Sequence, residues 1–309
     1  VTSTLSTLGI IESARIVLSY VEARARPYAK EETFEQWVSN RFGRRLYEVF
    51  FKTYTEKVWG IPCSEIRSDW AAQRIKGLSM RTAVLNALRG DTETKSLIDR
   101  FHYPRRGPGM MWDRFRQAIE DEGGEVLLKT EAVSLVRSNG RIEGVVAKRE
   151  GQRLALTGNA FISSMPLPAL IARLDPAPPE EVLTAAQQLK HRSFLVVGLI
   201  VDRAELFPDN WIYLHSPEVR AGRIQNPKNW SRAMVPDLSE TSLGVEYFCD
   251  EGDEIWSMPD ADLVALAANE LAALGLVKPE DVLDGVVFRQ PMAYPVYDST
   301  YQDQRRVIR

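Results

Sequence analysis

The sequence predicts an α/β (α+β) fold, with a mostly helical N-terminal block followed by a mixed-sheet domain. Three observations carry this. Apolar residues up to about position 90 recur at helical spacing, whereas beyond position 100 short strand patterns alternate with helices. The chain has 309 residues, 44% of them hydrophobic, which is enough for one large domain or two smaller ones with a substantial core.

The elements follow in order. Ile10, Ala14, Val17 and Val21 mark a first helix. Thr33 and Gln36 form a capping-box signature, and Phe34, Trp37, Val38, Phe42 and Leu46 continue one helical face. A Gly-Ile-Pro turn at Gly60 interrupts the block, and Trp70, Ile75, Leu78, Val84, Leu85 and Leu88 suggest one or two further helices. A glycine-proline loop over residues 103–109 leads into a helix over 110–122, which Gly123 and Gly124 stop. Strands are predicted over 125–129, 133–137, 142–148, 154–156 and 160–163, with Asn139-Gly140 as a hairpin turn.

A proline-rich break at 175–179 precedes a helix over 179–190. The valine-rich run 194–201 reads as a strand buried on both faces. Strands over 242–249 and 286–289 flank a helix over 260–274 that ends at Gly275.

Composition excludes several functions. A formal charge of -3 gives no reason to expect nucleic acid as a partner. Cys63, Cys249 and the histidines His102, His191 and His215 are too scattered for a zinc site or a disulfide framework. No apolar run approaches the ~20 residues of a spanning helix, and no signal segment opens the chain, so a cytoplasmic location is expected. The helical block of residues 1–90 could still present an apolar face to a membrane surface. No Ser-His-Asp or Cys-His pattern is visible.

Three stretches bring a family into view. The segment Phe50-Phe51-Lys52-Thr53-Tyr54-Thr55-Glu56-Lys57-Val58-Trp59-Gly60 resembles one found in UDP-galactopyranose mutases and protoporphyrinogen oxidase-like flavoproteins. The run from Tyr103 through Gly107 and Gly109 to Thr130-Glu131-Ala132-Val133 is similar to the part of flavin amine oxidases beside the adenine of FAD. Ala160-Phe161-Ile162-Ser163-Ser164-Met165-Pro166-Leu167 resembles a strand end of the same class.

The resemblance implies an FAD/NAD(P)-binding-type oxidoreductase fold, FAD as cofactor and a small-molecule substrate that gives up hydride. An alternative is a mutase-like, non-redox use of the flavin on a sugar, and a non-catalytic binding module is a third reading. The glycine turn that grips the pyrophosphate is not found, so the chain reads as a truncated form that holds FAD weakly or not at all.

By this resemblance, residues 1–100 are the helical part of the substrate domain and 101–175 a partial FAD-binding domain. Residues 176–290 form the substrate-binding sheet and helices, and 291–309 lead back toward the flavin.

Site residues follow in the same way. Ala132 and Val133 would meet adenine by main-chain groups, and Ser163, Ser164, Met165 and Pro166 would pass near the dinucleotide. Tyr54, Lys57 and Trp59 would line the active site, with rings for a flat ligand and an ammonium for a phosphate. Arg223, Asn226, Glu246, Tyr247 and Tyr297 complete the expected substrate pocket. A charge on a central strand needs a partner, and Arg223 is the expected partner of Glu246.

Overall fold

A computed structural model of the protein describes residues 9–69 and 101–309. The helices suggested around Trp70 to Leu88 lie outside these residues. Helix α1 (Ile10–Ala25) buries Ile16 on its inner face. Helix α2 (Phe34–Phe42) begins at the expected capping box, with Thr33 and Gln36 each satisfying the other's main-chain N–H. Gly43, at φ 83°, breaks the face expected to continue to Leu46, and any Cβ there would strike the α1 backbone at Tyr20. A helical turn (Arg44–Leu46) and a π-helical stretch (Tyr47–Lys52) then lead into α3 (Thr53–Trp59), which Gly60 ends in the left-handed conformation.

Helix α4 (Gly109–Asp121) precedes β1 (Thr130–Ser138), β2 (Arg141–Arg149) and β3 (Gln152–Thr157). The Asn139-Gly140 hairpin is present, both residues at positive φ as a two-residue primed turn requires. Two expected strands are absent. Residues 125–129 do not pair, because the chain turns just before β1 with Lys129 at φ 52°. Residues 160–163 pair with no strand among the described residues, and Ile162 is fully exposed.

Helix α5 (Leu167–Ala172), β4 (Leu174–Asp175) and α6 (Glu180–Gln187) follow. Next come β5 (His191–Val201), β6 (Trp211–Tyr213), β7 (Arg223–Gln225), α7 (Pro227–Trp230) and β8 (Thr241–Cys249). The chain closes with α8 (Glu254–Ser257), α9 (Asp260–Ala273), β9 (Val282–Pro295) and α10 (Tyr301–Ile308).

The chain divides into two compact units. One holds the described residues up to Gly107 together with Arg192–Ser299, and the other holds Pro108–His191 and Thr300–Arg309. The second unit carries the mixed sheet β3-β2-β1-β4, antiparallel except for the β1–β4 pair. The first unit carries the sheet β6-β7-β8-β5-β9, in which β8 runs antiparallel to both β7 and β5.

The β5 strand was expected to be buried on both faces, but its burial alternates. Leu195, Val197, Leu199 and Val201 are buried while Phe194, Val196, Gly198 and Ile200 are not. The buried side joins Leu243, Val245, Tyr247 and Ile224 in one core with Leu263, Ala267 and Leu271 of α9. At ~2 kcal/mol for each large side chain, this one-sided core is the main anchor of the sheet. The other face of the sheet lies outside this core. A separate core joins Phe34, Trp37, Val38, Phe42, Tyr47, Trp59, Cys63, Ile66 and Val296.

Candidate functional site

Strand parity builds the site. With Ile224 and Val245 pointing into the core, their neighbours Arg223, Gln225 and Glu246 must point to the open face. Arg223 pairs in register with Glu246, and its Nε donates to one carboxylate oxygen while Gln225 Nε2 donates to the other. The expected ion pair is present and almost dry, the Glu246 side chain being 2% and the Arg223 side chain 14% exposed.

Aromatic rings frame this triad. The guanidinium carbon lies 5.0 Å from the ring centres of Trp211 and Phe248 and 5.9 Å from that of Phe194. Tyr54 packs edge-on against Tyr213, with ring centres 4.9 Å apart. Tyr54 and Tyr294 lie close enough to the guanidinium to act on it electrostatically. Burial pushes the Tyr54 phenol up to about 12, with Arg223 pulling the other way. Burial disfavours the Arg223 charge, but the Glu246 carboxylate together with Tyr54 and Tyr294 outweighs it, and the guanidinium is held above its ordinary value. The arrangement sets two phenols and a charge-paired guanidinium beside aromatic surfaces suited to a ring.

The remaining expected residues separate. Tyr247 lies on the core side, its hydroxyl donating to Glu270 Oε2 at 3.1 Å, and burial raises its pKa. Trp59 and Tyr297 belong to the second core, with ring centres 6.4 Å apart. Asn226 is buried beyond the end of β7, its Oδ1 without a hydrogen-bond partner.

Lys57 was expected as a charge for a phosphate. Instead Nζ donates to the carbonyls of Ser216, Ala221 and Leu214 at 2.6, 3.0 and 3.3 Å, using all three of its donors inside the protein. Burial lowers its pKa, and Glu270 opposes the shift. The segment around Lys57 is thus mainly a joint. Arg192 of β5 completes it by donating to the carbonyls of Val58 and Phe248, at 3.3 and 2.9 Å. Its guanidinium lies where a Cβ on Gly60 would be.

The sequence reading missed Gln225, Phe194, Phe248, Trp211, Tyr213, Tyr294 and Arg192. A signal existed for Gln225 and Phe248, each two residues from a named polar residue and so on the same strand face. Trp211 and Tyr213 sit on a strand of three residues, too short to read from periodicity.

In the second unit, Ala132 and Val133 lie at a bulge in β1, where Val133 has no register partner on β2. The Ala132 carbonyl accepts from Arg173 Nε at 2.7 Å, and Arg173 also reaches Glu131 at 2.8 Å. Residues 163–166 lead irregularly into α5 through a bend at Met165, whose N–H donates to Ser163 Oγ at 3.3 Å. The bulge at Val133 and the unpaired stretch 163–166 suit main-chain contact with one end of a dinucleotide. Among the described residues no glycine turn joins a strand to a helix as a pyrophosphate cradle would, since the glycines before α4 follow a loop.

No protein-family model matches the chain. Among solved structures it is similar to a reduced UDP-galactopyranose mutase, with a TM-score of 0.76 at 17% identity over 96% of this chain and 64% of that one. A putative protoporphyrinogen oxidase from Exiguobacterium sp. 255-15 gives 0.64 at 15% identity, covering 97% and 64%. A putrescine oxidase bound to putrescine gives 0.54 at 14% identity, covering 94% and 65%. The chain therefore spans just under two thirds of the length of these structures, and the likeness shows a shared fold.

Proposed function

We propose that the open face of the five-stranded sheet is the substrate-facing wall of an FAD-dependent oxidoreductase that takes hydride from a small organic molecule. The observation that carries this reading is the Arg223–Glu246–Gln225 triad with the Tyr54 and Tyr294 phenols set against it. A buried ion pair whose carboxylate is held at both oxygens, on an aromatic-lined face, positions a ligand and adds little net charge. The similarity to proteins named as oxidases and a mutase supports a flavin-dependent enzyme of this fold. Bound FAD would serve as the electron acceptor, and the protein supplies orientation and electrostatics.

In this reading Ala132, Val133 and residues 163–166 would hold only an outlying part of the cofactor. The Tyr54 and Tyr294 hydroxyls donate to acceptor oxygens of the substrate, while Trp211, Phe194 and Phe248 cover its apolar surface. Lys57 and Arg192 hold the wall together without touching the ligand.

A second reading, mutase-like chemistry on a sugar, is favoured by one observation. The charge of Arg223 is already neutralised by Glu246, so the face suits a hydroxyl-rich ring as well as a cation. Anaerobic spectroscopy on a flavin-loaded protein that contains this chain separates the two. Bleaching of the flavin by substrate alone supports hydride transfer. Turnover that requires prior dithionite reduction, with no net oxidation of substrate, supports the mutase. A loaded protein that does neither with any amine, alcohol or nucleotide sugar tested refutes both.

A further inference from the structure

Helix α1 is apolar on two opposite sides. Its inner side buries Ile16, with Ser13, Tyr20 and Ala23 partly covered beside it. Its outer side carries Ile10, Ile11, Ala14, Val17, Leu18, Val21 and Ala25, all exposed, with Ile11 at 73%, Leu18 at 69% and Val21 at 58%. At 100° per residue these seven fall within one stripe about a third of the way round the helix. Ile11, Ala14, Leu18, Val21 and Ala25 repeat at spacings of three and four, which is the seam of a helix pair. A helix apolar on both sides is normally covered on both, and an exposed patch of this kind marks an association surface.

The charges beside the stripe identify the occupant. Arg15 and Glu22 lie together along one edge of it, and a groove lined by Arg15, Leu18, Ser19, Glu22 and Arg45 runs beside them. When two identical helices pack antiparallel about a two-fold axis at Leu18, like edges meet. Position 15 of one then faces position 21 of the other, and position 22 faces position 14. Arg15 of each copy is thereby placed next to Glu22 of its partner, twice over, while Leu18 meets Leu18 and the small Ala14 and Ala25 admit close approach. A parallel pair would oppose unlike edges and lose both ion pairs. In the single chain Arg15 has only a 3.5 Å contact with Glu12 and is largely exposed, so it is available to this pairing.

We propose that the outer face of α1 is an isologous interface, on which a second copy of this chain packs antiparallel. Sedimentation equilibrium and light scattering on the purified chain, from about 1 to 100 µM, test this. The expected result is a dimer that Leu18→Glu weakens about 30-fold or more without changing the far-ultraviolet circular dichroism. Arg15→Glu and Glu22→Arg should each weaken it, and the double variant carrying both should restore it.

That rescue separates a two-fold pair from general stickiness or misfolding. A wild-type monomer at 100 µM overturns the proposal, as does a dimer that Leu18→Glu leaves intact or a double variant that does not recover. A monomer that floats with phosphatidylcholine–phosphatidylserine vesicles and loses this with Leu18→Glu also overturns it, by assigning the face to a membrane.

Discussion

Arg223 and Glu246 occupy paired register positions on neighbouring antiparallel strands, and the guanidinium Nε meets the carboxylate on the face of the sheet that lies outside the core. The pair holds the guanidinium against the Trp211, Phe194 and Phe248 rings, where its charge also bears on the Tyr54 and Tyr294 phenols. Everything proposed for the site depends on this contact being made before any ligand arrives.

Removing one partner should therefore be costly in the absence of ligand. Glu246→Ala leaves a buried guanidinium unpaired, and urea unfolding should show a loss of about 3–5 kcal/mol. Glu246→Gln, which keeps the shape and an acceptor, should lose less. Equal stability of wild type and Glu246→Ala would mean that the pair is not formed.

Lys57 gives a prediction of the opposite kind from the one its motif suggests. Because its three donors meet the carbonyls of Leu214, Ser216 and Ala221, Lys57→Met should cost roughly 2–4 kcal/mol of stability in the ligand-free protein. If stability is unchanged and only ligand affinity falls, the lysine is a ligand contact.

Burial raises the Cys63 thiol to about 12 and the Cys249 thiol to about 11. Both should resist Ellman's reagent in the folded protein at pH 8, and both should react within minutes once it is unfolded. Rapid native labelling of either one contradicts its placement in the core.

His215 packs against Tyr54 and Phe50, and burial holds its imidazole below the ordinary 6.5, with the Lys57 ammonium adding to the effect. The unfolded chain therefore takes up this proton first as pH falls through about 6.5, and stability is lost on the way down to the folded value. Unfolding free energy should fall less steeply between pH 7 and 5 in His215→Gln than in wild type. A residual slope should remain from His191, whose pKa burial also lowers, partly offset by the Leu189 carbonyl. An unchanged slope in His215→Gln would contradict the buried, neutral imidazole.

How far the sequence reveals these features depends on the range of the interaction. The capping box at Thr33, the Asn139-Gly140 hairpin and the Arg223–Glu246 pair were legible because each rests on local chemistry or on the cost of a lone buried charge. The strand expected at 160–163 failed because pairing needs a neighbour, and apolar character alone does not supply one. The carbonyl contacts of Lys57 were not legible for a related reason. Its acceptors lie more than 150 residues away in the chain, so nothing local distinguishes a carbonyl clamp from a phosphate contact. Tyr247 shows the sharpest limit, since a neighbour of Glu246 on a strand must point to the opposite face.

The central claim is that this chain carries the substrate-facing sheet and only an outlying strip of a flavin site. Visible absorption spectra test it most directly, recorded after incubation with FAD and desalting. The samples are this chain alone and a longer polypeptide that adds to it the part of the fold that the similar structures have in addition. The account predicts a stoichiometric flavin spectrum from the longer polypeptide and little or none from the chain. A colourless longer polypeptide would contradict the flavoenzyme reading, and a chain that keeps stoichiometric flavin by itself would contradict the placement of the cofactor.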